Sequence, residues 1–179
     1  MKLIKTLTEG IENHYQIYCD LDGVLGDFDG RFEHFTGMFP DEWMIIATQK
    51  FGEKIARQRF WELIDSTVGV RYWRGIPFTE DGEILWNYIK QYNPIILTAP
   101  SRNEVSIIGK KLWVQDHLGP NIPIEFRSAQ TKSEFARHGN ILIDDRADII
   151  QDWKSKNGIG LLYINNPEEI IRELNKLGI

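Results

Sequence analysis

The sequence predicts an α/β chain built on a parallel sheet. Three observations carry that prediction. Short apolar runs recur along the chain, helical patterns separate the later ones, and acidic residues stand where the first and fourth runs end.

The runs are "YQIYC" (15–19), "PIILT" (94–98), "IPIEF" (122–126), "NILID" (140–144) and "GIGLLYI" (158–164). Each is short, rich in β-branched or aromatic residues, and bounded by Gly, Pro, Asp or Asn, as buried strands are. The stretch "SRNEVSIIGKKLWVQDHLG" (101–119) reads as a helix with Ser101 as N-cap and Glu104 three residues on, closing at Gly119-Pro120. "TKSEFARHG" (131–139) reads as a short helix ended by Gly139, and "ADIIQDWKSKNG" (147–158) as one ended at Asn-Gly. "PEEIIRELNKLG" (167–178) has Pro and Glu in its first turn and Lys and Gly at its end. Strands alternating with helices imply right-handed crossovers and a Rossmann-like, three-layer parallel sheet of about five strands. Residues 27–80 break the alternation: they read as helices and loops, too long for a plain crossover. The expected division is a core of residues 1–26 and 81–179, with a small helical cap (27–80) inserted after the first strand.

In such sheets ligands bind at the carboxyl ends of the strands. The polar residues at those ends are Asp20 and Asp22, Thr98, and Asp144 and Asp145. Asp-Gly is also a turn signal, so Asp20-Leu21-Asp22-Gly23 alone reads equally well as a polar turn. Two pairs of carboxylates converging on one spot do not, because they would repel each other without a cation. A carboxylate can attack phosphorus and split one hard step into two. A hard divalent cation such as Mg²⁺, held by carboxylate and carbonyl oxygens, removes the repulsion between the attacking and the attacked anion. A second carboxyl can protonate the leaving oxygen and later activate water. A hydroxyl and a lysine can hold the remaining phosphoryl oxygens. Thr98 and Lys132, in chain order, supply those two groups.

With "DLDGV", "IILT", Lys132 and "LIDDR" in this order, the chain resembles the haloacid dehalogenase superfamily of phosphohydrolases. The stretches "DLDGVLGDF" and "ILIDDR" are similar to its 5′(3′)-deoxyribonucleotidase group, with Gly26 where that group has alanine. The resemblance implies that Asp20 is nucleophile and metal ligand. It implies that Asp22 is the general acid and base, with a backbone carbonyl on the metal, and that Gly23 lets the loop approach phosphate. Thr98 and the backbone of Ala99 would bind the phosphoryl group, and Lys132 would neutralise it and Asp20. Asp144 would ligate Mg²⁺, with Asp145 holding a metal-bound water. The implied activity is Mg²⁺-dependent phosphomonoester hydrolysis through an aspartyl-phosphate, on a small molecule of the nucleoside monophosphate class. Other phosphatase substrates, including sugar phosphates or a nucleic-acid end, stand as alternatives, as do a metal-binding protein without turnover and a dehalogenase.

The remaining residues divide between site and scaffold. Phe28, which matches the closing phenylalanine of the first motif, and Trp61, on an expected cap helix, are the residues expected to sandwich a base. Tyr72 and Trp73 read as the cap's own core, and Trp113 and Trp153 as packing. Cys19 reads as core. His14, His34, His117 and His138 carry no expected catalytic role. Lys110 and Lys111 read as solvated mid-helix lysines, Arg71 and Arg74 as surface ion-pair residues, and Arg146 as a structural ion pair. The net charge of -5 disfavours a broad surface for duplex nucleic acid. A single cysteine, no membrane-length apolar run and no secretory pattern in "MKLIKTLTEGIENH" lead to the expectation of a cytoplasmic protein.

Overall fold

The structure, a computed structural model, describes residues 15–179. The N-terminal stretch discussed above, with His14, lies outside the described residues.

Five parallel strands form one sheet: β1 (Gln16–Cys19), β2 (Ile95–Thr98), β3 (Ile124–Phe126), β4 (Asn140–Asp144) and β5 (Ile159–Leu162). Their order is β3-β2-β1-β4-β5. Each strand falls within an expected apolar run. All five residues of β4 are buried, as a central parallel strand covered on both faces requires. Alternation along β1 sends Ile17 and Cys19 to one core and Tyr18 to the other. On the first face lie α5 (Glu80–Ile89), α6 (Glu104–His117) and α8 (Pro167–Lys176). On the second lie α7 (Ala147–Ser155) and a 3₁₀ segment, Ala129–Phe135. Trp113 on α6 and Trp153 on α7 are fully buried, one in each core. The result is the expected three-layer α/β architecture.

Between β1 and α5 the described residues are helical: α1 (Phe28–Thr36), α2 (Pro40–Phe51), α3 (Glu53–Glu62), a π-helical turn (Leu63–Val68) and α4 (Val70–Arg74). Here Phe32 packs on Trp43 and Phe60, forming an aromatic centre of this segment. The segment returns to the sheet along α6, where α4 rests on Gly109: a Cβ there would overlap Trp73 and meet the Val70 carbonyl oxygen.

Two helix starts differ from the sequence expectation. Helix α6 begins at Glu104 with Asn103 as its N-cap, whose side chain accepts from the Val105 N–H. Ser101 instead accepts from the Asn103 N–H, in the turn before the helix. The stretch after β3 is a 3₁₀ helix that starts two residues earlier than expected and ends at Phe135 rather than Gly139. Its tight winding shows in the i→i+3 bonds from the Thr131 N–H to the Ser128 carbonyl and from the Ala136 N–H to the Ser133 carbonyl.

The direction of the sheet order changes at β1, which has β2 on one side and β4 on the other. Asp20, Thr98 and Asp144 therefore stand together at one end of the sheet, where α/β sheets open a crevice. Among the described residues, no helix is long and apolar enough to cross a membrane.

Candidate active site

Asp20 is the first residue past β1. Its N–H still donates to the Ile143 carbonyl, so its position is set by the sheet. One carboxylate oxygen accepts from the Leu21 N–H at 2.8 Å, and the other lies 2.8 Å from the Lys132 ammonium. Lys132 also lies 2.7 Å from Asp144, whose second oxygen accepts from the Arg146 N–H at 3.0 Å. Burial alone would lower the Lys132 pKa, but Asp20 and Asp144 outweigh it and hold the ammonium charged.

Carboxylate oxygens of Asp20, Asp144 and Asp145 all lie within 4.8 Å of one another. Burial, then the Asp20 charge, pushes Asp144 up to about 6. Burial, Asp20 and Asp144 push the more exposed Asp145 up to about 7. One lysine offsets only part of this negative charge. Three hard oxygen donors with uncompensated charge fit a divalent cation. Gly23 is in the left-handed region (φ 77°), and a Cβ there would strike the Asp145 carboxylate. Its glycine thus serves the close approach of the first loop to the acidic cluster.

Asp22 sits two residues beyond Asp20 on a loop closed by the Leu25 and Gly26 N–H groups, both of which donate to the Leu21 carbonyl. One Asp22 oxygen, Oδ2, lies 2.6 Å from the ammonium of Lys110. The other, Oδ1, is buried and has no hydrogen-bond partner among the described residues. Burial pushes the Asp22 pKa up, against the pull of Lys110.

Lys110 corrects the sequence expectation. It is not solvated but 0 % exposed, and it donates to Asp22, to Thr98 Oγ1 (2.9 Å) and to the Ala99 carbonyl (2.6 Å). The signal was in the helix period: Ser106, Gly109, Lys110, Trp113 and Val114 form one buried stripe at i, i+3, i+4, i+7, i+8, and Lys111 falls outside it.

A cavity of about 1010 Å³ opens over these groups. Asp20, Asp22, Gly23, Ala99, Lys132 and Asp145 line it, together with Phe28 and Trp61. Thr98 and Asp144 lie just behind that wall, fully buried. Phe28 and Trp61 both meet Trp73: Phe28 at 5.8 Å between ring centres, Trp61 at 6.4 Å and nearly parallel. Trp73 thus joins the two aromatics rather than only filling the helical core. Trp61 is 42 % exposed and presents ring surface to the cavity. Tyr163, after β5, also reaches the cavity, and its buried hydroxyl has no partner among the described residues.

The scaffold residues fall mostly as expected. Cys19 is buried, Arg74 pairs with Asp116 at 2.7 Å on the surface, and Arg146 pairs with Asp148. His34, His117 and His138 are exposed and do not line the cavity.

No family model matches the chain, and no curated protein matches it. Among solved structures it is similar to a hydrolase from Streptococcus pneumoniae TIGR4, at 14% sequence identity over 90% of this chain and 99% of that one, with a TM-score of 0.46.

Proposed function

We propose that the chain is a phosphomonoester hydrolase of the haloacid dehalogenase type, dependent on Mg²⁺ and acting on nucleoside monophosphates. The observation that carries this reading is the placement of Asp20. It is fixed by the sheet, braced by a buried lysine, set in an acidic cluster suited to a cation, and followed two residues later by a second carboxylate at the same cavity.

Asp20, Asp144 and Asp145, with the Asp22 carbonyl, would hold the metal. When bound, Mg²⁺ supplies positive charge that lets two anions approach. A carboxylate oxygen of Asp20 forms a bond to phosphorus as the ester P–O bond breaks, and Asp22 gives its proton to the departing oxygen. Asp22, now ionised, takes a proton from water. That water attacks the phosphorus of the aspartyl-phosphate, frees Asp20 and releases inorganic phosphate. The Thr98 hydroxyl and the Ala99 N–H bind phosphoryl oxygens, and Lys132 balances the charge of Asp20 and of the phosphoryl group.

The helical segment between β1 and α5 acts as the cap of this site. It contributes Phe28 and Trp61 to the cavity, and these rings favour a flat leaving group. Asp27, Asp29 and Asp81 also line the cavity, which disfavours a polyanionic strand as substrate.

The test is phosphate release from ribo- and deoxyribonucleoside monophosphates, sugar phosphates and an aryl phosphate, with Mg²⁺ and with chelator. Chelator-sensitive release, fastest on a nucleotide, is the expected result. Release faster from a sugar phosphate would keep the chemistry and overturn the substrate class. No release from any ester would overturn the whole reading.

A further inference from the structure

Lys110 takes no part in the steps above, yet it touches two of the groups that do. Its ammonium has three hydrogens, and all three are engaged: Asp22 Oδ2 at 2.6 Å, Thr98 Oγ1 at 2.9 Å and the Ala99 carbonyl at 2.6 Å. No donor remains for a substrate. The Trp73 ring covers the ammonium, 5.0 Å from ring centre to nitrogen. Trp73 is itself fixed, because its indole N–H donates to buried Asp65 at 3.0 Å and its Cβ abuts Gly109 on α6. Charge in such a place is costly to desolvate, and full pairing is what makes it tolerable.

We propose that Lys110 is a positioning residue that sets Asp22 and Thr98 in register, and that this inference rests on the phosphohydrolase reading above. With Oδ2 held by Lys110 and the buried Oδ1 left without a partner, the orientation of the Asp22 carboxylate depends on this one ammonium. Thr98 accepts from Lys110, so the hydroxyl hydrogen itself is left uncommitted by that bond. The bond to the Ala99 carbonyl holds the peptide next to the phosphoryl site. A single ammonium thereby ties the loop after β1 to the end of β2. The helical segment supplies its cover through Trp73.

The test compares wild type, Lys110→Met, Asp22→Asn and the double variant, each as the full chain with Mg²⁺. Two esters are used: a nucleoside monophosphate and an aryl phosphate whose leaving group needs no proton. The expected result for Lys110→Met is a kcat loss on the nucleotide of about 100-fold, the low end for a displaced general acid, with KM changed little. The aryl ester should lose less. In the Asp22→Asn background Lys110→Met should cost far less than it does in wild type, because its hold on Asp22 no longer matters and only its hold on Thr98 and Ala99 is left to lose. Losses that multiply in the double variant, or an unchanged kcat in Lys110→Met, would overturn the inference. If Lys110→Met fails to fold, Lys110→Gln, which removes the charge but keeps two N–H donors on a shorter side chain, carries the same comparison. Full activity in Asp22→Asn would instead overturn the phosphohydrolase reading. If wild type releases no phosphate from any ester, the phosphohydrolase reading falls and this inference with it.

Discussion

The ammonium of Lys132 lies 2.7 Å from the carboxylate of Asp144, with both side chains buried. The pair joins a 3₁₀ segment to the end of β4, and Asp20 at the end of β1 shares the same ammonium. Two carboxylates and one lysine leave a net negative charge that a further cation would offset.

Replacing Lys132 by Met should therefore do two things. Turnover should fall by a factor of about 100 or more, as when a preorganised charge is removed from a phosphoryl-transfer site. Metal-free stability should fall by about 3–5 kcal/mol, because two buried carboxylates lose their partner. Denaturant melts with and without Mg²⁺ check this, and Mg²⁺ should restore part of the loss.

Asp144 and Asp145 make the metal-free protein sensitive to pH. Their pKa values, about 6 and about 7, stand above the ordinary 3.8. The folded chain thus holds these protons more tightly than the unfolded chain, and folding takes up protons between about pH 4 and pH 7. The contribution of these two groups is fully present below that window and is lost as pH rises through it. Metal-free melts should show lower stability at about pH 7.5 than at about pH 5.5, and Mg²⁺ should narrow the gap. A metal-free protein that gains stability across that interval would contradict the crowding of these carboxylates.

Gly23→Ala should weaken the metal site without touching a ligand. An alanine at φ 77° costs about 1–2 kcal/mol in backbone conformation. Its Cβ would also displace the Asp145 carboxylate. Mg²⁺ titration by calorimetry should show reduced affinity, whereas an unchanged affinity would mean that Asp145 stands outside the metal site.

Much of the site was legible because carboxylates rarely follow apolar runs without cause. "IYCDLD" and "ILIDD" announce Asp20, Asp22, Asp144 and Asp145, and the sheet brings their ends together. Thr98 and Lys132 were legible only as members of that ordered set. Lys110, beside Lys111, reads as solvated because mid-helix lysines usually are; its place on the buried stripe of α6 is the overriding signal. Asn103 and Ser101 are both good caps, and local sequence does not rank them, since the turn uses Ser101 for itself. The meeting of Phe28 and Trp61 on Trp73 was not legible, because it depends on how α1, α3 and α4 pack together.

Trp61→Ala should raise KM for a nucleoside monophosphate by about tenfold, since an aromatic–base stack contributes roughly 1–3 kcal/mol. KM for a small aryl phosphate should change less. Steady-state kinetics on the two esters check this, and equal shifts would remove the base-stacking role of the ring.

In the proposed chemistry Asp20 becomes phosphorylated during turnover. Rapid acid quench of the Mg²⁺-loaded protein with substrate, followed by peptide mass spectrometry, tests it most directly. The expected result is a hydroxylamine-sensitive phosphoryl group on the peptide carrying Asp20, absent with chelator and absent in Asp20→Asn. Sustained turnover by Asp20→Asn, or a phosphoryl group on a different residue, would contradict it.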